Sequence, residues 1–321
     1  MILRYLLCLI FCMAAPRYIE GQTITEFREV VTYLADDERQ GRDTASKGIY
    51  AAQQYIAKEL RDYGFDARYQ EFTTPKGKCR NIIAWVQGAS DQYMVVGAHL
   101  DHVGVRGRTV VVDHKVVRRP VVLNGADDNA SGSAMVLALA KRFKDEERRQ
   151  GIVPLPHSIV FVWFTGEEHG FWGSQYFVDN PVLPNAVRGQ KLPIFMLNLD
   201  MVGRLAGYGQ VWKNEAPVPL TKILDDLFTR YAFAQKITFR DGSDSSDHYP
   251  FHRKGIPIVM LHTGLHQDYH RSTDDADKIH YNGMVQIFEC AFDLLMGVIY
   301  MDGNNYDFVN ELPRIRDHAN D

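Results

Sequence analysis

His99 and Asp101 stand two residues apart in HLDH, Glu167 and Glu168 side by side in TGEEHG, and Asp200 at the end of NLD. Two further stretches, NGADDNASG (124–132) and GLHQDYHRSTDDADK (264–278), add Asp128, His270 and Asp274. Gathered without a cation, Asp128, Glu168 and Asp200 would repel, and at least one would have to take a proton. A metal removes the difficulty: the four charges of two divalent ions are balanced by three carboxylates and one hydroxide, with His99 and His270 as neutral ligands. Nitrogen and oxygen donors without thiolate suit zinc, with Mn2+ or Co2+ as substitutes, so two Zn2+ per chain are expected. Asp101 is expected to accept the second N–H of the His99 imidazole and fix its tautomer, and Asp274 to do the same for His270. Adjacent side chains diverge, so Glu168 is read as a ligand and Glu167 as a general base. Glu167 would take a proton from water and return it to a leaving amine, and no side-chain nucleophile is needed.

Such a cluster forms only if the chain delivers these groups to one edge of a sheet. Short, continuous apolar runs at 93–98, 158–164, 193–199 and 257–261 have the pattern of strands buried on both faces. The first three end in His99 with Asp101, in the Glu pair, and in Asp200, and in an open α/β sheet the carboxyl ends of the strands line one crevice. Helical spacing recurs at 24–34, 46–63, 131–144, 171–178, 220–233 and 282–300, and a hairpin is expected from 66–72 and 81–86 around Pro75 and Gly77. Strand and helix therefore alternate, which is an α/β pattern with a central, mostly parallel sheet and helices on both faces. The segment 106–122 alternates Val with charge and is expected to be a surface hairpin at the rim of the crevice.

The chain has 321 residues, 45% hydrophobic and 24% charged, with a formal net charge of -4. That composition is globular, and the charge gives no global positive field, so nucleic acid is not an expected partner. Arg4 followed by an apolar run to Ala15 reads as a signal-peptide core, too short for an ordinary transmembrane helix. The expected organisation is a signal segment, 1–21, and one domain, 22–321, exported to the periplasm or beyond without remaining in the membrane. Ile10 and Phe11 before Cys12 argue against lipid attachment. Cys79 and Cys290 remain, as a disulfide pair or as two buried thiols.

HLDH (99–102), GADDNASG (125–132), TGEEHGFWGS (165–174), NLDMVGR (198–204), SDHYPF (246–251) and DYHRSTDDADKI (268–279) resemble the ordered motifs of the secreted di-zinc aminopeptidases, the family-28 metallopeptidases. The resemblance covers roughly the whole chain after the signal segment. It implies a single zinc-peptidase domain with a central mixed sheet, phosphorylase/hydrolase-like, that takes peptide substrates. It further implies that Asp128 bridges the metals, with His99 and Asp200 on one ion and Glu168 and His270 on the other, and that Tyr269 polarises the substrate carbonyl. His270 is preferred to His266 for its place in this pattern and for the acids that follow it. The stretch between His99 and Asp128 is longer than in the simplest relatives, which bears on specificity.

Other polar groups receive plainer readings: Asp127 as a loop or helix-cap acid, His102, His169 and His266 as residues behind the ligands or on the surface, and Asp247 as the cap of a short helix. Phe171 and Trp172 follow the Glu pair closely enough to line a pocket. The expected activity is release of N-terminal residues from peptides. The alternatives are a carboxypeptidase, a glutaminyl cyclase-type acyltransferase on the same scaffold, and a receptor-like domain without catalysis.

Overall fold

The structure is a computed structural model that describes residues 20–112, 115–150, 155–187, 189, 192–205, 210–213, 218–231, 233 and 245–300. The expected signal core and the polar tail past Asp302 lie outside the described residues. The strands are β1 (Arg68–Thr74), β2 (Gly77–Val86), β3 (Tyr93–His99), β4 (Val105–Val112), β5 (Lys115–Val122), β6 (Ser158–Phe164), β7 (Phe195–Leu199), β8 (Gln210–Lys213) and β9 (Ile258–His262). The helices are α1 (Glu20–Leu34), α2 (Lys47–Asp62), α3 (Gly132–Gln150), α4 (Trp172–Asp179), α5 (Val218–Arg230), α6 (Tyr249–His252) and α7 (Tyr281–Ile299).

Seven strands make one sheet in the order β1-β2-β6-β3-β7-β9-β8. The four inner strands β6, β3, β7 and β9 run parallel, and β1, β2 and β8 are added antiparallel at the edges. Every residue of the four inner strands is buried. The pleat explains why these runs carry no alternation: Met94, Val96 and Ala98 face a core shared with α1, α2, α3, α5 and α7, while Tyr93 and Val95 face a smaller core closed by α4 and α6. Fully burying one such apolar side chain contributes about 1.5–3 kcal/mol. Phe161, on the larger core, would cost about 3–5 kcal/mol to truncate to Ala.

The helices follow the same logic. Ser46 caps α2 by accepting the Ile49 N–H at 3.3 Å, and Ile49, Ala52, Ile56 and Leu60 turn one stripe inward. α7 is long and apolar enough to cross a bilayer, yet most of it is buried in the larger core.

Several expectations are corrected. The first hairpin closes over Pro75 and Lys76 alone, so β2 begins at Gly77 rather than at residue 81. β8 is a strand that no apolar run announced, since it is short and pairs only with β9. Cys79 and Cys290 are free thiols, both buried, which settles the two readings against a disulfide.

The segment 106–122 does form a hairpin, β4 against β5, separate from the main sheet. Its stems are gripped by the turn Asp37–Arg42: Gly104 donates to Gly41 O at 3.1 Å, and Leu123 donates to Gly104 O at 3.0 Å. Gly41, at φ 64, has no room for a side chain, because an added Cβ would lie 2.3 Å from Leu123 O.

Candidate metal centre

The carboxyl ends of the parallel strands deliver the groups to one place. His99 is the last residue of β3, the Glu pair follows β6 after a tight turn, Asp200 follows β7, and the loop after β9 brings His270. Two residues accept left-handed backbone to do so, Met201 beside Asp200 at φ 52 and His270 at φ 55. Such conformations cost roughly 1–3 kcal/mol each and gather at functional sites.

Two groups of donor atoms result, His99 with Asp128 and Asp200, and His102 with Asp128, Glu168 and His270, each with its donor atoms within 4.8 Å of one another. Asp128 belongs to both. Its Oδ1 lies 3.4 Å from His99 Nε2, which is 3.5 Å from Asp200 Oδ1. Its Oδ2 lies 3.0 Å from His270 Nε2, which is 3.3 Å from Glu168 Oε2. Carboxylates and imidazoles, most of them buried and with no thiolate among them, form a donor set that suits zinc.

The charges of the cluster suit a cation. Burial works against charge on His99, but Glu167, Asp200 and Asp128 outweigh it and hold its pKa well above the usual range. His270 behaves alike, with burial overcome by Asp128 and Glu168 and its pKa pushed up to about 10. Burial disfavours the Glu168 anion, yet His102 and His270 hold its pKa far below normal. Asp200, opposed by burial, is lowered by His99. Protons on histidine thus stand where a divalent cation would balance the same carboxylates.

Glu167 is different. Burial first, then Asp200, Asp247 and Glu168, drive its pKa well above the usual carboxylate range against the pull of His99. It is half-buried and has no ligand contact of the kind the other acids make. Tyr269, exposed, stacks on His270 with ring centroids 3.9 Å apart, and burial of its hydroxyl end together with the nearby acids raises its pKa, so it remains a phenol donor.

The supporting acids act otherwise than expected. His99 Nδ1 meets the backbone oxygen of Asp101, at 3.1 Å, and not its carboxylate. The carboxylate accepts instead from Thr44 Oγ1 at 2.7 Å and from the Glu167 N–H at 3.3 Å, because the turn after His99 points it away from the ring. Asp274 does not reach His270 either. Its Oδ2 accepts the N–H groups of Asp127 and Asp128 at 3.0 and 3.1 Å, and its Oδ1 accepts from Arg204 Nη2 at 3.0 Å. Asp127 is no helix cap alone: it accepts the Gly203 N–H at 2.6 Å and pairs with His266 Nε2 at 3.1 Å, which takes His266 out of the ligand cluster.

One buried group goes unremarked in the sequence, and a second, His102, reads there only as a residue behind the ligands or on the surface. Arg42 is fully buried and donates to Leu34 O, Leu100 O, Asn124 O and Gly125 O, tying both ligand loops together; burial lowers its pKa to about 10 against the pull of Asp128 and Asp101. An Arg in a polar turn carries no periodic signal. His102 is also fully buried, with Nδ1 2.9 Å from Glu168 Oε1, and its spacing of three from His99 was the available cue. Asp247 caps nothing: α6 is entered through His248, and neither Asp247 oxygen has a hydrogen-bond partner among the described residues. The Ser174 hydroxyl, which favours its anion, donates to Phe171 O at 3.1 Å.

Residues 81–295 match Peptidase family M28. Leucine aminopeptidase 1 of Arthroderma gypseum is 32% identical over 221 residues, 64% of this chain and 54% of that protein. The chain thus spans about half the length of the curated relatives it matches. Among solved structures, a zinc aminopeptidase from Bacillus subtilis superposes with a TM-score of 0.67 at 15% identity, over 86% of this chain and 95% of that one. Glutaminyl cyclase of Porphyromonas gingivalis superposes with a TM-score of 0.65 at 20% identity, over 85% and 97%. At such identities these likenesses carry the fold.

Proposed function

Because the chain belongs to peptidase family M28, we propose that it is a metal-dependent exopeptidase releasing residues from the N-terminus of peptides. The proposal includes two divalent ions per chain, zinc by preference, and export as a single domain, 22–321, behind a signal segment. One observation carries it: Asp128 divides its two oxygens between the His99–Asp200 pair and the Glu168–His270 pair.

Bound there, the ions would acidify a water molecule and polarise a carbonyl. His99 and Asp200 would hold one, Glu168 and His270 the other, and Asp128 both. Glu167, whose pKa burial and the neighbouring acids hold above the usual carboxylate range, is the more basic for it, and as the carboxylate it takes the water proton and delivers it to the departing amine. Asp101 steadies the base through its backbone N–H. The Tyr269 hydroxyl donates to the carbonyl oxygen as charge develops there.

Charge supports the N-terminal direction. A carboxypeptidase needs a free cation for the substrate carboxylate, and two arginines beside the ligand loops are already engaged, Arg42 with four carbonyls and Arg204 with Asp268 and Asp274. An excess of acid favours a substrate ammonium.

Mass spectrometry of free and N-blocked peptides incubated with the protein, with and without chelator, tests this. Chelator-sensitive ladders from the free N-terminus, absent for blocked peptides, are expected. Ladders from the C-terminus, or only ammonia loss from N-terminal Gln, would overturn the reading in favour of a carboxypeptidase or a cyclase.

A further inference from the structure

His102 is the histidine of the cluster that the ligand set leaves without a task. Its ring is fully buried and sits edge-on to His270, with centroids 5.5 Å apart at 72°. The ring is also wedged against Gly125: an added Cβ there would lie 2.5 Å from His102 Cγ, and Gly125 itself has φ 60. The plane of the imidazole is therefore fixed by packing, and the Glu168 carboxylate selects which edge faces it. In that orientation Nδ1 lies 2.9 Å from Glu168 Oε1, a hydrogen-bond distance, and 3.5 Å from Asp128 Oδ2.

The far side of the ring decides between two roles. A histidine that ligates a metal almost always donates its other N–H to a carbonyl or carboxylate. His99 obeys, with Nε2 toward the carboxylates and Nδ1 on Asp101 O. His102 does not, because its buried Nε2 has no partner among the described residues. Ligation through Nδ1 would leave an N–H stranded there, at a cost of about 1–3 kcal/mol. A proton on Nδ1 leaves a bare nitrogen instead.

We propose that His102 is a positioning residue: it donates Nδ1–H to Glu168 Oε1, and so leaves Oε2 as the oxygen that Glu168 turns toward His270 and Asp128. The two carboxylate oxygens then have separate partners, Oε1 the imidazole and Oε2 the site 3.3 Å from His270 Nε2. This role rests on the metal reading above.

The test compares the full chain with His102→Asn, whose amide N–H can stand near the place of Nδ1, and with His102→Leu, which donates nothing. Zinc affinity is measured by competition with a chelator, and the metal-free forms are checked by circular dichroism and melting. His102→Leu is expected to weaken one of two zinc sites about 10–100-fold, and His102→Asn to stay within about threefold of wild type. Nitrogen NMR of the wild-type zinc form is expected to find the His102 ring proton on Nδ1. Unchanged affinity in His102→Leu would overturn the proposal. So would X-ray absorption that counts one histidine nitrogen fewer per chain in both variants, which would make His102 a ligand. If His102→Leu does not fold, the ring proton decides, and a proton on Nε2 overturns the role. Wild type that binds no divalent cation would instead sink the metal reading, and the His102 role with it.

Discussion

Asp274 holds Asp128 by the main chain: its Oδ2 accepts the Asp128 N–H at 3.1 Å while the Asp128 side chain is left to face the histidines. The same oxygen accepts the Asp127 N–H, and Arg204 balances the charge from the other side. Asp274→Ala strands two buried N–H groups and half of the Arg204 pairing. A loss of about 2–5 kcal/mol is expected in urea unfolding of the metal-free protein. Zinc affinity should fall by at least about tenfold in chelator competition. Lower stability with unchanged affinity would reduce Asp274 to a support for the loop alone.

Glu167→Gln separates proton transfer from metal binding. The substitution keeps size and removes the base, and Glu167 is not among the donor groups around Asp128. Turnover of a free-amine peptide substrate should fall about 10²–10⁴-fold with zinc content unchanged. A variant at near wild-type rate would remove the general-base assignment.

The sequence made the crevice legible because both of its signals were strong. Apolar runs marked buried parallel strands, and the polar residues that end them had to converge wherever such strands converge. What it concealed were contacts made by the main chain. Nothing in HLDH says that His99 meets the Asp101 carbonyl rather than its carboxylate, since that depends on the turn after β3. Nor does the acid four residues after His270 reveal that it reaches back to the backbone at Asp127 and Asp128. Arg42 and β8 lie in short polar contexts, where neither periodicity nor a turn signal distinguishes a buried staple or an edge strand from a loop.

Metal uptake should expel protons. In the metal-free protein His99 and His270 are held cationic by surrounding carboxylates, the latter with a pKa of about 10, and each must lose its proton to become a ligand. Zinc affinity should therefore climb with pH from about 6 to 9, with roughly one proton released per ion. Calorimetry in buffers of different ionisation heat reads that number directly. For the metal-free fold the sign is opposite. A His270 pKa raised above its unfolded value of 6.5 stabilises below that pH, and the contribution is lost as pH rises through 10. Proton-free uptake at pH 7 would contradict the charged state of both rings.

Asp247 offers a second reading of the same electrostatics from a buried acid that is not among the ligands. It is fully buried, neither oxygen has a hydrogen-bond partner within normal geometry among the described residues, and burial first, then Asp101 and Asp200, push its pKa from 3.8 to about 7 despite His99 and the Ser174 hydroxyl. A raised pKa means that the folded chain binds this proton more tightly than the unfolded one. Its relative stabilisation is therefore complete below pH 3.8 and disappears as pH rises through 7, leaving at pH 8 a buried anion that burial, Asp101 and Asp200 oppose. Asp247→Asn keeps the shape and cannot ionise. Metal-free Asp247→Asn should unfold at higher urea than wild type at pH 8, by up to about 4 kcal/mol, and match it near pH 4. A gain of equal size at both pH values would mean that packing, not ionisation, separates the two proteins.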